Sequence, residues 1–73
     1  MRTGVWEASP GKTISAKGET FEFCHILSGV MQLTEDGEEP VTYRSGDSFI
    51  MKPGFRGIWK TIERVRKIYV VVE

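Results

Sequence analysis

The chain has 73 residues, of which 40% are hydrophobic and 27% charged, and its ten basic residues balance ten acidic ones. That is the composition of a folded globular domain rather than a disordered segment, read here as a single domain over residues 1–73. Zero net charge gives no global pull towards nucleic acid, and no apolar run reaches membrane length, so neither partner is expected.

One cysteine cannot close an internal disulfide, and Met1–Gly4 carries no signal-peptide core; a cytoplasmic location is the expectation. A chain of this size buries only roughly 60–65% of its surface on folding. Pairing with a second copy is therefore expected to help it, and a homodimer is predicted.

In chain order, Val5-Trp6-Glu7 is a short apolar start that ends at the turn residues Ser9-Pro10-Gly11. Lys12–Lys17 alternates weakly and predicts a second strand, and Lys17-Gly18-Glu19 turns into the central one. Thr20–Gly29 is rich in aromatic, aliphatic and β-branched residues and is bracketed by glycines. Side chains alternate across a strand, so Glu22, Cys24 and Ile26 share one face and Phe23, His25 and Leu27 the other. Both faces are largely apolar. One is expected to line a barrel interior and the other to meet a second sheet or a second subunit.

Gly29 predicts a tight turn before a separate strand at Val30–Thr34. Glu35-Asp36-Gly37-Glu38 is a hairpin turn, since Asp-Gly readily adopts positive φ. Pro40–Arg44 returns as a strand, Ser45-Gly46-Asp47 turns, and Ser48–Met51 is the next strand, closed by Lys52-Pro53-Gly54. Gly57–Glu63 sets Ile58 and Ile62 against Trp59 and Thr61, and Val65–Val72 is the last and most apolar strand. No stretch combines helical period, length and caps. The fold class is all-β, a small antiparallel barrel or sandwich.

Two segments resemble the cupin family. Glu22, then FCHILS, then Gly29 matches the end of the first cupin motif, and Gly46-Asp47-Ser48-Phe49-Ile50-Met51-Lys52-Pro53-Gly54 resembles the second, with the proline one place later than usual. A wider likeness, through GVWEASPGK, FEFCHILSG, LTEDGE, GDSFIMKPGFRGIWKTIE and VRKIYVV, is to the small single-domain cupins grouped with ureidoglycine aminohydrolase and the ethanolamine-utilisation cupins. The resemblance implies an antiparallel cupin-like barrel or jelly roll, often dimeric. Metal-binding cupins carry two histidines shortly before the motif glutamate and another after the second motif. Those places here are Ser15 or Ala16, Lys17 or Gly18, and Gly57, so of the usual ligands only Glu22 remains. No metal and no cofactor is expected.

Glu22 is an edge charge reaching water or an inward carboxylate, and an inward one needs a cation, a donor or a proton. Cys24 shares its face and His25 does not, so the two cannot join Glu22 in one inward metal or nucleophilic site. Cys24 reads as a small core residue beside Glu22, and His25 as a packing or interface residue. If the cupin metal position faces inward at Gly57, Trp59 faces inward too, as core or as a wall stacking on a ligand. Tyr43, Phe49 and Tyr69 are further wall candidates.

In the basic run Arg64-Val65-Arg66-Lys67, read as a half-exposed strand rather than a phosphate patch, one of Arg66 and Lys67 must face inward and can pair with Glu22. The leading expectation is a module binding a small polar metabolite in the barrel, with Glu22, Cys24, Trp59 and Tyr69 as ligand-binding residues. The alternatives are an enzyme with Glu22 as catalytic general acid or base on a ureide or sugar-like substrate, and a structural or partner-binding domain with a filled barrel.

Overall fold

The computed structural model describes residues 1–73 and contains six strands and no helix. These are β1 (Arg2–Ala8), β2 (Gly11–Ala16), β3 (Phe21–Glu35), β4 (Val41–Arg44), β5 (Ser48–Met51) and β6 (Arg56–Val72). All pairings are antiparallel.

Two long strands, β3 and β6, form the spine. They pair with each other along nearly their whole length, from Phe21↔Val72 to Glu35↔Gly57. The short strands flank them in two sets. β1 pairs with the second half of β6, and β5 with the first half of β3. β2 pairs with the first half of β6, and β4 with the second half of β3. The result is one sheet folded into two facing halves, β1-β6-β3-β5 and β2-β6-β3-β4, which is the geometry of a small jelly-roll barrel.

Aromatic side chains join the halves. Trp6 of β1 meets Trp59 edge-on at 5.4 Å between ring centroids, and Phe49 of β5 lies 5.8 Å from Trp59 and 4.3 Å from Tyr43 of β4. Such contacts add to the area they bury. Around them sit Cys24, Ile26, Met31, Leu33, Met51, Phe55 and Val65, all buried.

The fold corrects two sequence expectations. Gly29 makes no tight turn: it sits in a bulge within the continuous strand β3, at register shifts between Ile26 and Met31. Its φ is +90°, and a Cβ there would strike the Arg64 carbonyl of β6, with Val65 Cα 2.7 Å away. The glycine lets the two spine strands approach where the sheet folds over. The bulge also reverses the alternation, so Glu22, Cys24 and Ile26 are buried before it and Met31 and Leu33 after it. Likewise Gly57–Glu63 and Val65–Val72 are one strand, not two. On that strand Gly57, Trp59, Thr61, Val65, Lys67 and Val71 point inward, while Ile58 and Ile62 point out.

The outer face of the half containing β1 is not covered by a second sheet. Phe23, Ile50, Ile68 and Val72 are exposed there, with Phe23 paired to both Ile50 and Val70 across neighbouring strands.

Candidate functional site

The buried charges gather at the open end of the barrel. Strand alternation turns Glu22 of β3 inward opposite Val71, where it is 6% exposed, and turns Lys67 of β6 inward opposite Ile26, also 6% exposed. Arg66 points outward, where it and Arg64 pair with Glu7 of β1. Lys17 lies just past β2. Its backbone N–H bonds the Phe55 carbonyl at 2.9 Å, and Gly54 N–H bonds the Gly18 carbonyl at 2.6 Å. The turn before β3 is thereby tied to the turn before β6, and Lys17 is aimed into the barrel.

The three side chains form one cluster. Lys17 Nζ donates to Glu22 Oε1 at 2.7 Å, and Lys67 Nζ donates to Glu22 Oε2 at 2.7 Å. Cys24 Sγ donates to the same Oε2 at 3.1 Å, and Lys67 Nζ also approaches Cys24 Sγ at 3.4 Å. Burial alone would raise the Glu22 carboxyl, but the hydrogen bonds from Lys17, Lys67 and Cys24 outweigh it and hold the group at about 2. Burial pushes the Cys24 thiol up to about 12, against the opposing pull of Lys67. Glu22 is therefore ionised and Cys24 neutral at ordinary pH.

A cavity of about 260 Å³ opens onto this cluster. Glu22, Lys17 and Lys67 give it charge, Thr13 and Ser15 hydroxyls, and Trp6, Trp59 and Tyr69 aromatic walls. Trp59, 4% exposed, is fixed by donation from Nε1 to Thr61 Oγ1 at 3.0 Å. The Lys67 ammonium lies 4.6 Å from the Trp59 ring centroid, 4.9 Å from that of Trp6 and 5.9 Å from that of Tyr69. Those rings offset part of its lost hydration.

Of the residues expected at a site, Glu22, Trp59 and Tyr69 line the cavity together. Cys24 does not: it is fully buried behind Glu22. Tyr43 and Phe49 stack on each other away from this cavity, with Tyr43 half-buried. His25 lies on the outer face, sharing a 2.7 Å hydrogen bond between Nδ1 and Ser48 Oγ. Trp6 and Thr13 are not marked by the sequence, and Ser15 and Lys17 only as positions that have lost a metal ligand. The signal existed, because alternation places residues 13, 15 and 17 on one side of the second strand.

A family model described as the EutQ-like cupin domain matches residues 1–69. The chain belongs to that family. Among solved structures, a DUF861-family protein from Thermotoga maritima is 29% identical with a TM-score of 0.86, covering 94% of this chain and 77% of its own. A putative ethanolamine utilization protein Q from Salmonella typhimurium is 19% identical with a TM-score of 0.84, and this cupin spans 55% of its length. The Cnp3 cupin domain of Schizosaccharomyces pombe is 24% identical with a TM-score of 0.84, and 53% of that chain is spanned. A search of curated proteins gives no match.

The residues of this cupin do not fit the metal that many cupins hold. Glu22 is the only usual ligand present, and both its oxygens accept hydrogen bonds from ammonium groups. No group of three or more His, Cys, Asp or Glu side chains comes together anywhere in the chain. At Gly57, where metal-binding relatives are expected to carry histidine, a Cβ would strike the Thr34 carbonyl of the paired strand, with Glu35 Cα 2.9 Å away. The backbone of β3 closes that position to any side chain. Two lysines occupy the region in which a cation would otherwise balance the glutamate.

Proposed function

We propose that this cupin binds a small polar metabolite in its barrel, using Glu22 as a fixed anion that positions two ammonium groups rather than as a metal ligand. The observation that carries this reading is the cavity of about 260 Å³ opening onto a charged cluster whose buried polar atoms are all hydrogen-bonded. The volume lies just under the range of about 300–1,000 Å³ usual for ligand pockets. A barrel serving only as a scaffold would be expected to fill this space with aliphatic side chains. An acid–base role for Glu22 is less well supported, because a carboxyl held at about 2 has no proton to give near neutral pH and is a weak base.

Trp6 and Trp59 are the chain's two tryptophans, and both line the cavity. Tryptophan fluorescence, excited selectively, therefore reports on this site. Fractionated mixtures of polar metabolites should contain one that changes the fluorescence saturably and raises the melting temperature by mass action. Silence across such mixtures would refute the binding reading.

We further propose that a second copy covers the apolar outer face of β5, β3 and β6. With no second sheet there, and no net charge on the chain to oppose self-association, a twofold pairing of that patch with itself is the simplest cover. The single buried thiol suits the reducing cytoplasm, where we propose the protein works.

A further inference from the structure

The charge count of the cavity narrows the class of ligand, and this step rests on the binding reading above. Lys17 and Lys67 bring two positive charges and Glu22 one negative charge, leaving the cavity with one uncompensated positive charge. We infer that the ligand is a small organic monoanion, a carboxylate on a compact flat body, received by the Lys17 ammonium and laid against Trp6 and Trp59.

The donors support this choice. An ammonium has three N–H groups. Lys17 has one protein acceptor, Glu22 Oε1, and its side chain remains 18% exposed on the cavity side. The remaining N–H groups are free to bond an incoming carboxylate. Lys67, by contrast, is engaged by Glu22, by Cys24 Sγ and by the faces of Trp59 and Trp6. It supplies charge from behind. Ser15 and Thr13 share one face of β2, just before Lys17, and line the cavity, adding hydroxyl donors. Neither hydroxyl is taken by another side chain.

The aromatic walls exclude the opposite charge. Trp6, Trp59 and Tyr69 surround a cation in the way an aromatic cage holds a quaternary ammonium. Here the cage is filled by the protein's own Lys67 ammonium. A cationic ligand would meet like charge at that point, with Glu22 already shared between two lysines. A neutral ligand would leave the free Lys17 N–H groups without an ionic acceptor. The Trp59 N–H is committed to Thr61, so that indole offers its ring rather than a donor.

The test compares three probes of nearly one shape: benzoate, benzamide and benzylammonium, titrated into the wild-type protein at low salt while tryptophan fluorescence is followed. Benzoate should bind at least about tenfold more tightly than benzamide, the size of one charge-assisted hydrogen bond. Benzylammonium should not bind, and added salt should weaken benzoate selectively. In Lys17→Met, benzoate should lose its advantage over benzamide. Benzamide or benzylammonium binding as tightly as benzoate would overturn the inference and leave the binding reading standing. Silence of all three probes would also overturn it, and the binding reading would fall only if the metabolite mixtures were silent too. The wild-type comparison decides the matter even if the Lys17 variant does not fold.

Discussion

Replacing Glu22 by glutamine keeps the shape of the side chain and removes the charge that holds the cluster together. Lys67, 6% exposed, then keeps its ammonium in the barrel with no counter-charge, and Lys17 faces it as a second cation. Removing one partner of a buried ion pair costs about 3–5 kcal/mol. The titration of Glu22 gives a similar magnitude: lowering its carboxyl from 4.5 to about 2 corresponds to about 3 kcal/mol of folded-state preference for the charged form. A domain of this length has a total stability of roughly 4–11 kcal/mol. Glu22→Gln should thus lose about a quarter or more of the whole.

Urea unfolding at pH 7 measures the loss directly. The pH profile provides an independent check. Because the folded-state value is depressed, the contribution is fully present above about 4.5 and disappears as pH falls towards 2, at no more than about 1.4 kcal/mol per pH unit. Wild-type protein should show this acid loss, and Glu22→Gln should lack that share of it. Adding Lys67→Met to Glu22→Gln should recover part of the stability, since the stranded cation is then gone. A loss below about 1 kcal/mol at pH 7, with superimposable acid profiles, would refute the reasoning, because such a small cost belongs to exposed pairs.

Other outcomes follow from the same structure. Cys24, with its thiol pushed up to about 12 and no exposure, should resist alkylation by iodoacetamide at pH 8 in the folded protein and react on unfolding; fast labelling of native protein would contradict this. Gly57→His should not create a metal site. It should instead destabilise the fold by about 1–3 kcal/mol or more through overpacking against β3, and tight metal binding by a folded variant would show that the strand can move aside. Ile68→Glu places a charge in the apolar outer face and should give a monomer by sedimentation at micromolar concentration, where the wild type should be a dimer; a monomeric wild type would remove the proposed interface.

Much of the barrel is legible in the sequence because its strands obey simple alternation. That Glu22 and His25 take opposite faces, that Trp59 shares the face of Gly57 and that one of Arg66 and Lys67 must enter the barrel all follow from counting by twos; which face of β3 is the inner one is settled only by the fold, which buries Glu22 and Trp59. Less legible is how far each strand runs. Gly29 has the composition of a turn, and only the close approach of Arg64 on the partner strand makes it a bulge. That contact is a tertiary fact with no local signature, and it alone resets which residues of β3 face inward. The choice of Lys67 over Arg66 also depends on the partner, since Glu7 on β1 holds Arg64 and Arg66 at the surface.

Lys17 shows a different kind of gap. It stands at a place where metal-binding relatives are expected to carry a ligand, and the sequence alone presents it as a lost ligand beside a turn. Its role depends on the bond from its own backbone to Phe55, which fixes the turn, and on the reach of a long side chain back to Glu22. The same cluster demotes Cys24 from a candidate contact to a donor behind the carboxylate.

The most direct measurement is the titration of the Glu22 side-chain carboxyl carbon by NMR from neutral pH downwards. If two ammonium groups and the Cys24 thiol stand where other cupins hold a metal, the resonance should stay that of a carboxylate to well below pH 4 and titrate near 2. A midpoint at or above 4.5 would contradict the cluster, for it would mean that Glu22 is not held by both lysines and is free to act as an acid, a base or a ligand.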